Sequence, residues 1–187
     1  MKKNLIIFVV VFVAYLVGNS IYEQMTKDPT PGKAKRLACQ AAVTTFERGF
    51  NNNDIIIAQK QLESGDVSFS STIEKSIYAE SKLFNYVKLE DTDKIVQQEL
   101  NSYIKTKNIS ENIKPLKLSY NIYENDIKDP GKKTKKSKLY AGYIVLQVKN
   151  QNNKTIYKVQ IDFMDFQGAD IAQSIKCSVK SFATFNK

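Results

Sequence analysis

The chain has 187 residues, a formal net charge of +9 and no histidine. Without imidazole, Ser-His and Cys-His nucleophile activation, the usual zinc and copper ligand sets and imidazole-based pH switching are excluded. The charge comes almost wholly from lysine, since Arg36 and Arg48 are the only arginines, and a cationic surface attracts anionic lipid, acidic protein or nucleic acid.

Lys2 and Lys3 precede an uncharged apolar run from Leu5 to Val17, the pattern that directs a chain into the export machinery. The run covers about 20 Å of helix, short of the roughly 30 Å hydrocarbon core of a bilayer. Extended through Gly18, Asn19, Ser20 and Ile21 to Tyr22, it is long enough to span. Residues 1–22 are therefore read as a signal-anchor or transmembrane helix. The alternative is a signal peptide cleaved after Ser20. Lys27, Lys33, Lys35 and Arg36 follow closely and weaken the charge bias on orientation. Residues 23–32, with Pro29, Pro31 and Gly32, read as a linker, and 33–187 as one extracytoplasmic domain.

Within that domain, Cys39, Ala42, Val43, Phe46 and Phe50 recur at helical spacing, predicting an amphipathic helix over 33–48 with Cys39 on its buried face. Asp54 to Glu63 predicts a second, short helix. Val67 to Leu89 is read as mostly helix, with Ser71 and Glu74 as a capping box, although Val67 and Phe69 alternate like a strand. Thr92 is the expected cap of a clearer helix carrying Val96, Leu100, Tyr103 and Ile104, with Lys105 and Lys107 at its C-terminal end.

From Leu116 the period changes from 3.6 to 2. Leu116, Leu118, Tyr120 and Ile122 alternate with polar residues, Leu139 to Lys149 is apolar on both faces, and Tyr157, Val159, Ile161 and Phe163 alternate again. Ile171, Ile175, Cys177 and Val179 are read as a fourth strand after a turn at Gly168 to Asp170. The expected fold class is thus α+β, with an N-terminal apolar helix followed by helices packed on a four-stranded antiparallel meander. Cys39 and Cys177 then meet across helix and sheet. In an oxidising compartment such a pair forms a bridge, closing a loop of well over 100 residues and contributing about 4 to 5 kcal/mol in the chain-entropy model.

Tyr157-Lys158-Val159, Asp165-Phe166-Gln167-Gly168-Ala169 and Ile175-Lys176-Cys177-Ser178-Val179, with Cys39 in an early helix, resemble a small exported domain of uncharacterised bacterial proteins. That resemblance implies the same helix-to-strand cysteine pairing and no activity. The order of anchor, helices and strands also resembles NTF2-like or cystatin-like periplasmic domains, including the VirB8-type components of type IV secretion systems.

Lys132, Lys133, Lys135, Lys136 and Lys138 follow the Asp129-Pro130-Gly131 turn and predict a hairpin tip. They are the candidate contacts for an anionic lipid or an acidic partner. Nucleic acid is disfavoured, because arginines and stacking aromatics are missing from the run. Asp162, Asp165 and Asp170 lack the dense oxygen spacing of a calcium loop and read as turn carboxylates. Glu47, Glu63 and Glu80 form no acid pair. Asn108-Ile109-Ser110 and Asn153-Lys154-Thr155 match a glycosylation sequon, which a bacterial chain rarely uses.

No catalytic, metal or cofactor motif is found. The expected function is a membrane-tethered, non-catalytic periplasmic interaction or scaffold domain, a subunit of an envelope or secretion assembly, with residues 5–22 in the bacterial inner membrane as a single pass. A periplasmic immunity or inhibitor protein that binds a toxic partner is the alternative reading. A carboxylate-based enzyme is the third.

Overall fold

The computed structural model describes residues 36–106, 115–132, 134–135 and 139–187. The apolar segment 5–22 and the linker 23–32 lie outside the described residues, as do Lys107, the 108–110 sequon, Lys133, Lys136 and Lys138.

The described residues form an α+β arrangement of four helices and one open, mixed sheet. In chain order these are α1 (Ala38–Ala41), β1 (Thr45–Gly49), α2 (Asn52–Ser64), β2 (Val67–Glu74), a turn of 3₁₀ helix (Leu83–Asn85), α3 (Leu89–Asn101), β3 (Leu116–Glu124), β4 (Gly142–Lys149), β5 (Thr155–Phe163) and α4 (Ile171–Ala183). The strand order is β1-β5-β4-β3-β2. All neighbours are antiparallel except β2 and β3, which run parallel and are joined through α3. The expected four-stranded meander is therefore corrected at three segments. Its three central strands are present, but both edges come from segments read as helix, and the final strand is a helix.

The first correction is at 33–48, where the helix ends at Ala41 and the chain extends into β1. Pairing with β5 decides this: Thr45 sits opposite Ile161 and Gly49 opposite Tyr157. Glu47 faces the helices, where its carboxylate accepts from the Tyr157 hydroxyl. Phe46, counted as a core position, faces solvent. The second correction is β2, in which Val67, Phe69, Ser71 and Ile73 lean toward the helices and the intervening Ser68, Ser70, Thr72 and Glu74 are exposed. Strand alternation with a parallel partner thus prevails over the capping box.

The third correction is α4. Ile171, Ser174, Ile175, Ser178, Val179 and Phe182 are all buried, which is the i, i+3, i+4, i+7, i+8, i+11 stripe of a helix. The serines fit because Ser178 and Ser181 return their hydroxyls to the carbonyls of Ser174 and Cys177, at 2.8 and 2.7 Å. Finally, Thr92 does not cap α3. It lies one turn inside, buried, donating to the Leu89 carbonyl at 2.8 Å and bonded to the Tyr120 hydroxyl at 3.1 Å. The helix ends at Asn101, so Tyr103, Ile104 and Lys105 follow it.

α2 forms as expected. Asn51 accepts from the N–H groups of Asn53 and Asp54 at 3.0 and 3.2 Å, and Gly65 closes the helix in the left-handed conformation. The helices pack on one face of the sheet, over Leu118, Tyr120, Ile122, Ile144, Leu146, Val148, Tyr157, Val159 and Ile161, none more than 2% exposed. No helix among the described residues covers the other face.

Candidate interaction surfaces

Cys39 of α1 and Cys177 of α4 are joined by a disulfide, with their Cα atoms 6.0 Å apart. The bridge links helix to helix rather than helix to strand. Gln40 reinforces it from a buried position, donating to Ser181 Oγ at 2.9 Å and to Glu47 Oε2 at 3.0 Å. Cys39 is only half-buried, which departs from the expectation of a core-facing residue.

The sheet face opposite the helices carries chemistry in rows, because residues directly opposite on neighbouring strands share a face. Glu74, Tyr123, Tyr143 and Asp162 are successive partners across β2, β3, β4 and β5. The two tyrosines stack with centroids 4.8 Å apart, and Tyr140 tilts against Tyr143 at 6.4 Å. Asp162 is 5% exposed, accepts from Gln160 Nε2 at 3.3 Å and has no ion pair among the described residues. Burial raises its pKa, against the opposing hydrogen bonds from Gln160 and Thr44. Two residues further along the strands the row is Thr72, Asn121, Val145, Gln160 and Phe46; after two more it is Ser70, Ser119, Gln147, Lys158 and Arg48. Lys117 and Lys149 pair beyond that, at one wall of a 340 Å³ groove with Ser68, Ser70 and Ser119. The face therefore runs from a carboxylate and tyrosine end to a cationic end.

A second surface lies at the acidic end of that face, where the connections leave β2, β3 and β5 and enter β4. Here carboxylates turn inward onto backbone. Asp126 accepts from the N–H groups of Ile77 and Tyr78, both at 2.6 Å, and of Ala79 at 3.1 Å. Glu124 accepts from Lys82, Leu83 and Ser76 at 2.8, 3.0 and 3.1 Å. Burial alone would raise both pKa values, but the backbone hydrogen bonds, joined for Glu124 by the Ser81 hydroxyl, outweigh it and hold both below the ordinary range. Asp170 accepts from Met164 N at 2.7 Å and Asp165 from Gln167 N at 2.8 Å, so these turn carboxylates serve the β5–α4 connection. With the backbone held, apolar side chains point out: Ile77 is 87% exposed, Leu139 64% and Phe166 47%.

Of the lysine run, Lys132 and Lys135 are described, between β3 and β4. Lys132 is half-buried, with its ammonium donating to Asn125 Oδ1 and lying 5.6 Å from the Tyr140 ring centre; it is a structural contact as well as a charge. Lys135 is exposed. Lys133, Lys136 and Lys138 are outside the described residues.

Sequence reasoning missed the tyrosine and carboxylate row because its members come from four strands, and it missed the clamped Ile77-Tyr78 tip because both were assigned to a helix. The signal for the tip was Glu124 and Asp126, two carboxylates together at the end of a strand. Among the described residues no group of three or more His, Cys, Asp or Glu side chains is placed to hold a metal ion, and no helix is long and apolar enough to cross a membrane. Comparison with protein-family models, curated proteins and solved structures finds no match, so function is read from this geometry alone.

Proposed function

We propose that this chain is a membrane-tethered, non-catalytic interaction domain of the bacterial periplasm, held in the inner membrane by residues 5–22 and presenting the open face of its sheet to a protein partner in an envelope or secretion assembly. The observation that carries the reading is that face. Glu74, Tyr123, Tyr143 and Asp162 form one register row with a stacked aromatic pair, and tyrosine is enriched at the centres of binding surfaces. The opposite end of the same face, with Arg48, Lys117, Lys149 and Lys158, suits a partner whose surface is itself dipolar. The Cys39–Cys177 bridge supports an oxidising compartment.

The test is photo-crosslinking in cells. p-Benzoylphenylalanine at Asn121 or Gln147, on the open face, is expected to give a discrete protein adduct, while the same group at Lys94, exposed on α3, gives none. Absence of any adduct from the open face, or an identical pattern from Lys94, overturns the reading. A C-terminal alkaline phosphatase fusion tests the compartment and is expected to be active.

A further inference from the structure

We propose that β2 is a dimer edge: two copies of this chain pair antiparallel along Val67–Glu74, about a two-fold axis at Ser71, and merge their five-stranded sheets into one of ten strands. The pairing goes beyond the open-face reading above and leaves that face exposed.

β2 ends the sheet, hydrogen-bonded to β3 on one side. Leu116 N donates to the Asp66 carbonyl at 2.9 Å, which sets the alternation of the parallel ladder. Ser68, Ser70 and Thr72 turn their backbone groups to β3, while Val67, Phe69, Ser71 and Ile73 turn theirs outward. Among the described residues no strand takes them up. Proteins ordinarily blunt such an edge by shortness, proline, lysine or a bulge. β2 has eight residues, no proline, glycine, lysine or arginine, and no register shift against β3. The opposite edge is treated differently. β1 has five residues, Glu47 and Arg48 among them, and its Thr45 carbonyl accepts from Arg36 at 3.5 Å.

The bare backbone selects an extended strand as the occupant, and the side chains select a second copy. In chemistry β2 is a palindrome about Ser71: Ser70 matches Thr72, Phe69 matches Ile73, and polar Ser68 matches Glu74. Antiparallel pairing about that residue sets Phe69 of each copy opposite Ile73 of the other, with Ser70 opposite Thr72 on the other face. Aromatic with β-branched and hydroxyl with hydroxyl are favourable cross-strand pairs. Glu74, the one charge of the strand, meets Ser68, so no like charges are opposed.

The helix side of β2 also has apolar surface left to cover. Phe69 and Ile73 are half-buried, whereas Leu118 and Ile122 beside them on β3 are 2% and 0% exposed. A two-fold axis between antiparallel strands stands perpendicular to the sheet, so the helices of both copies lie on one side and both open faces on the other. The two faces then act together on a partner that presents two sites.

The full-length protein in detergent is expected to give, by light scattering, a protein mass of twice 21.3 kDa. p-Benzoylphenylalanine at Thr72, exposed on β2, is expected to give an adduct in cells that contains this chain alone. Ser70→Lys with Thr72→Lys opposes two pairs of like charges and is expected to return the mass to one chain. Its melting temperature should not change, because both positions are exposed. Mixing that variant with one carrying Ser70→Glu and Thr72→Glu is expected to restore the dimer as a mixed pair. A wild type of one chain at every concentration measured, a dimer that survives the double-lysine change, or a Thr72 adduct with a different protein overturns the proposal. If the double-lysine variant does not fold, the Thr72 adduct decides. Loss of the Asn121 and Gln147 adducts with the dimer intact would end the open-face reading and leave the dimer standing.

Discussion

Glu124→Gln isolates how the loop that displays Ile77 and Tyr78 is held. The carboxylate accepts three backbone N–H bonds, at 2.8, 3.0 and 3.1 Å. A glutamine keeps the volume but removes the charge from all three and turns an amide donor toward one of them. Charged hydrogen bonds contribute about 1 kcal/mol more than neutral ones, which gives about 3 kcal/mol for the set. Glu124 is half exposed, and solvent screening roughly halves that to about 1.5 kcal/mol. Urea unfolding at neutral pH should show this loss, and hydrogen exchange should locate it at the amides of Ser76, Lys82 and Leu83. The pH dependence has a defined sign. The folded pKa lies below the ordinary 4.5, so the contribution is fully present above that value and is lost as pH falls through the lower folded one. The gap between wild type and variant should stay constant in the neutral range and close in acid. An unchanged midpoint at neutral pH, or a gap that persists undiminished well below the ordinary carboxylate range, refutes the clamp.

Two further outcomes follow from the scaffold. Cys177→Ser opens a loop between residues 138 apart, about 5 kcal/mol in the chain-entropy model; at roughly 2–4 °C per kcal/mol for a chain of this size, melting should fall by about 10–20 °C. Reductant should produce the same shift in the wild type, and a fall of only a few degrees would show that the bridge adds little. Gly168→Ala forces a side chain into φ +79°, against Val87 Cγ2 and Ile171 Cδ1, and should cost about 2 kcal/mol. Chemical denaturation measures it, and a wild-type midpoint would mean that the β5–α4 connection yields at no cost.

The central strands were readable because their side chains obey the period that their burial requires. Leu116 to Ile122 and Tyr157 to Phe163 present one apolar face to the helices, and β4 adds Ile144, Leu146 and Val148 to that face with Tyr143 and Val145 on the other. The edges were not readable, for reasons that lie outside local sequence. β1 has only five residues, two of which, Phe46 and Arg48, face away from the core, so its apolar count mimicked a helix until β5 supplied hydrogen bonds. α4 was hidden by Ser174, Ser178 and Ser181, all buried. Treated as polar they leave a period-2 remnant of Ile175, Cys177 and Val179; treated as small core residues with internally bonded hydroxyls, they complete the helical stripe. The cysteine pair was legible since it required only two thiols and the expectation of an oxidising compartment, while the partner element's type was not. Of the candidate surfaces, the lysine run was visible as a local cluster. The tyrosine and carboxylate row has members 88 residues apart, from Glu74 to Asp162, and exists only once the register is known.

The pairing of β1 with β5 has a consequence for the order of events as the chain is made. Thr45 meets Ile161, and Cys39 meets Cys177, so the earliest described segment has no neighbour until almost the last residue has emerged. A nascent chain emerging from its N-terminal end would hold β2, α3, β3 and β4 as a partial sheet, with the segment of α1 and β1 unsecured. Truncation at the end of β4 removes the template for β1, the partner of Cys39 and the helix that covers β5 in one step. Completion of this fold is therefore a late event that joins both termini, and premature pairing of the first cysteine has no internal partner to compete with until the chain is whole.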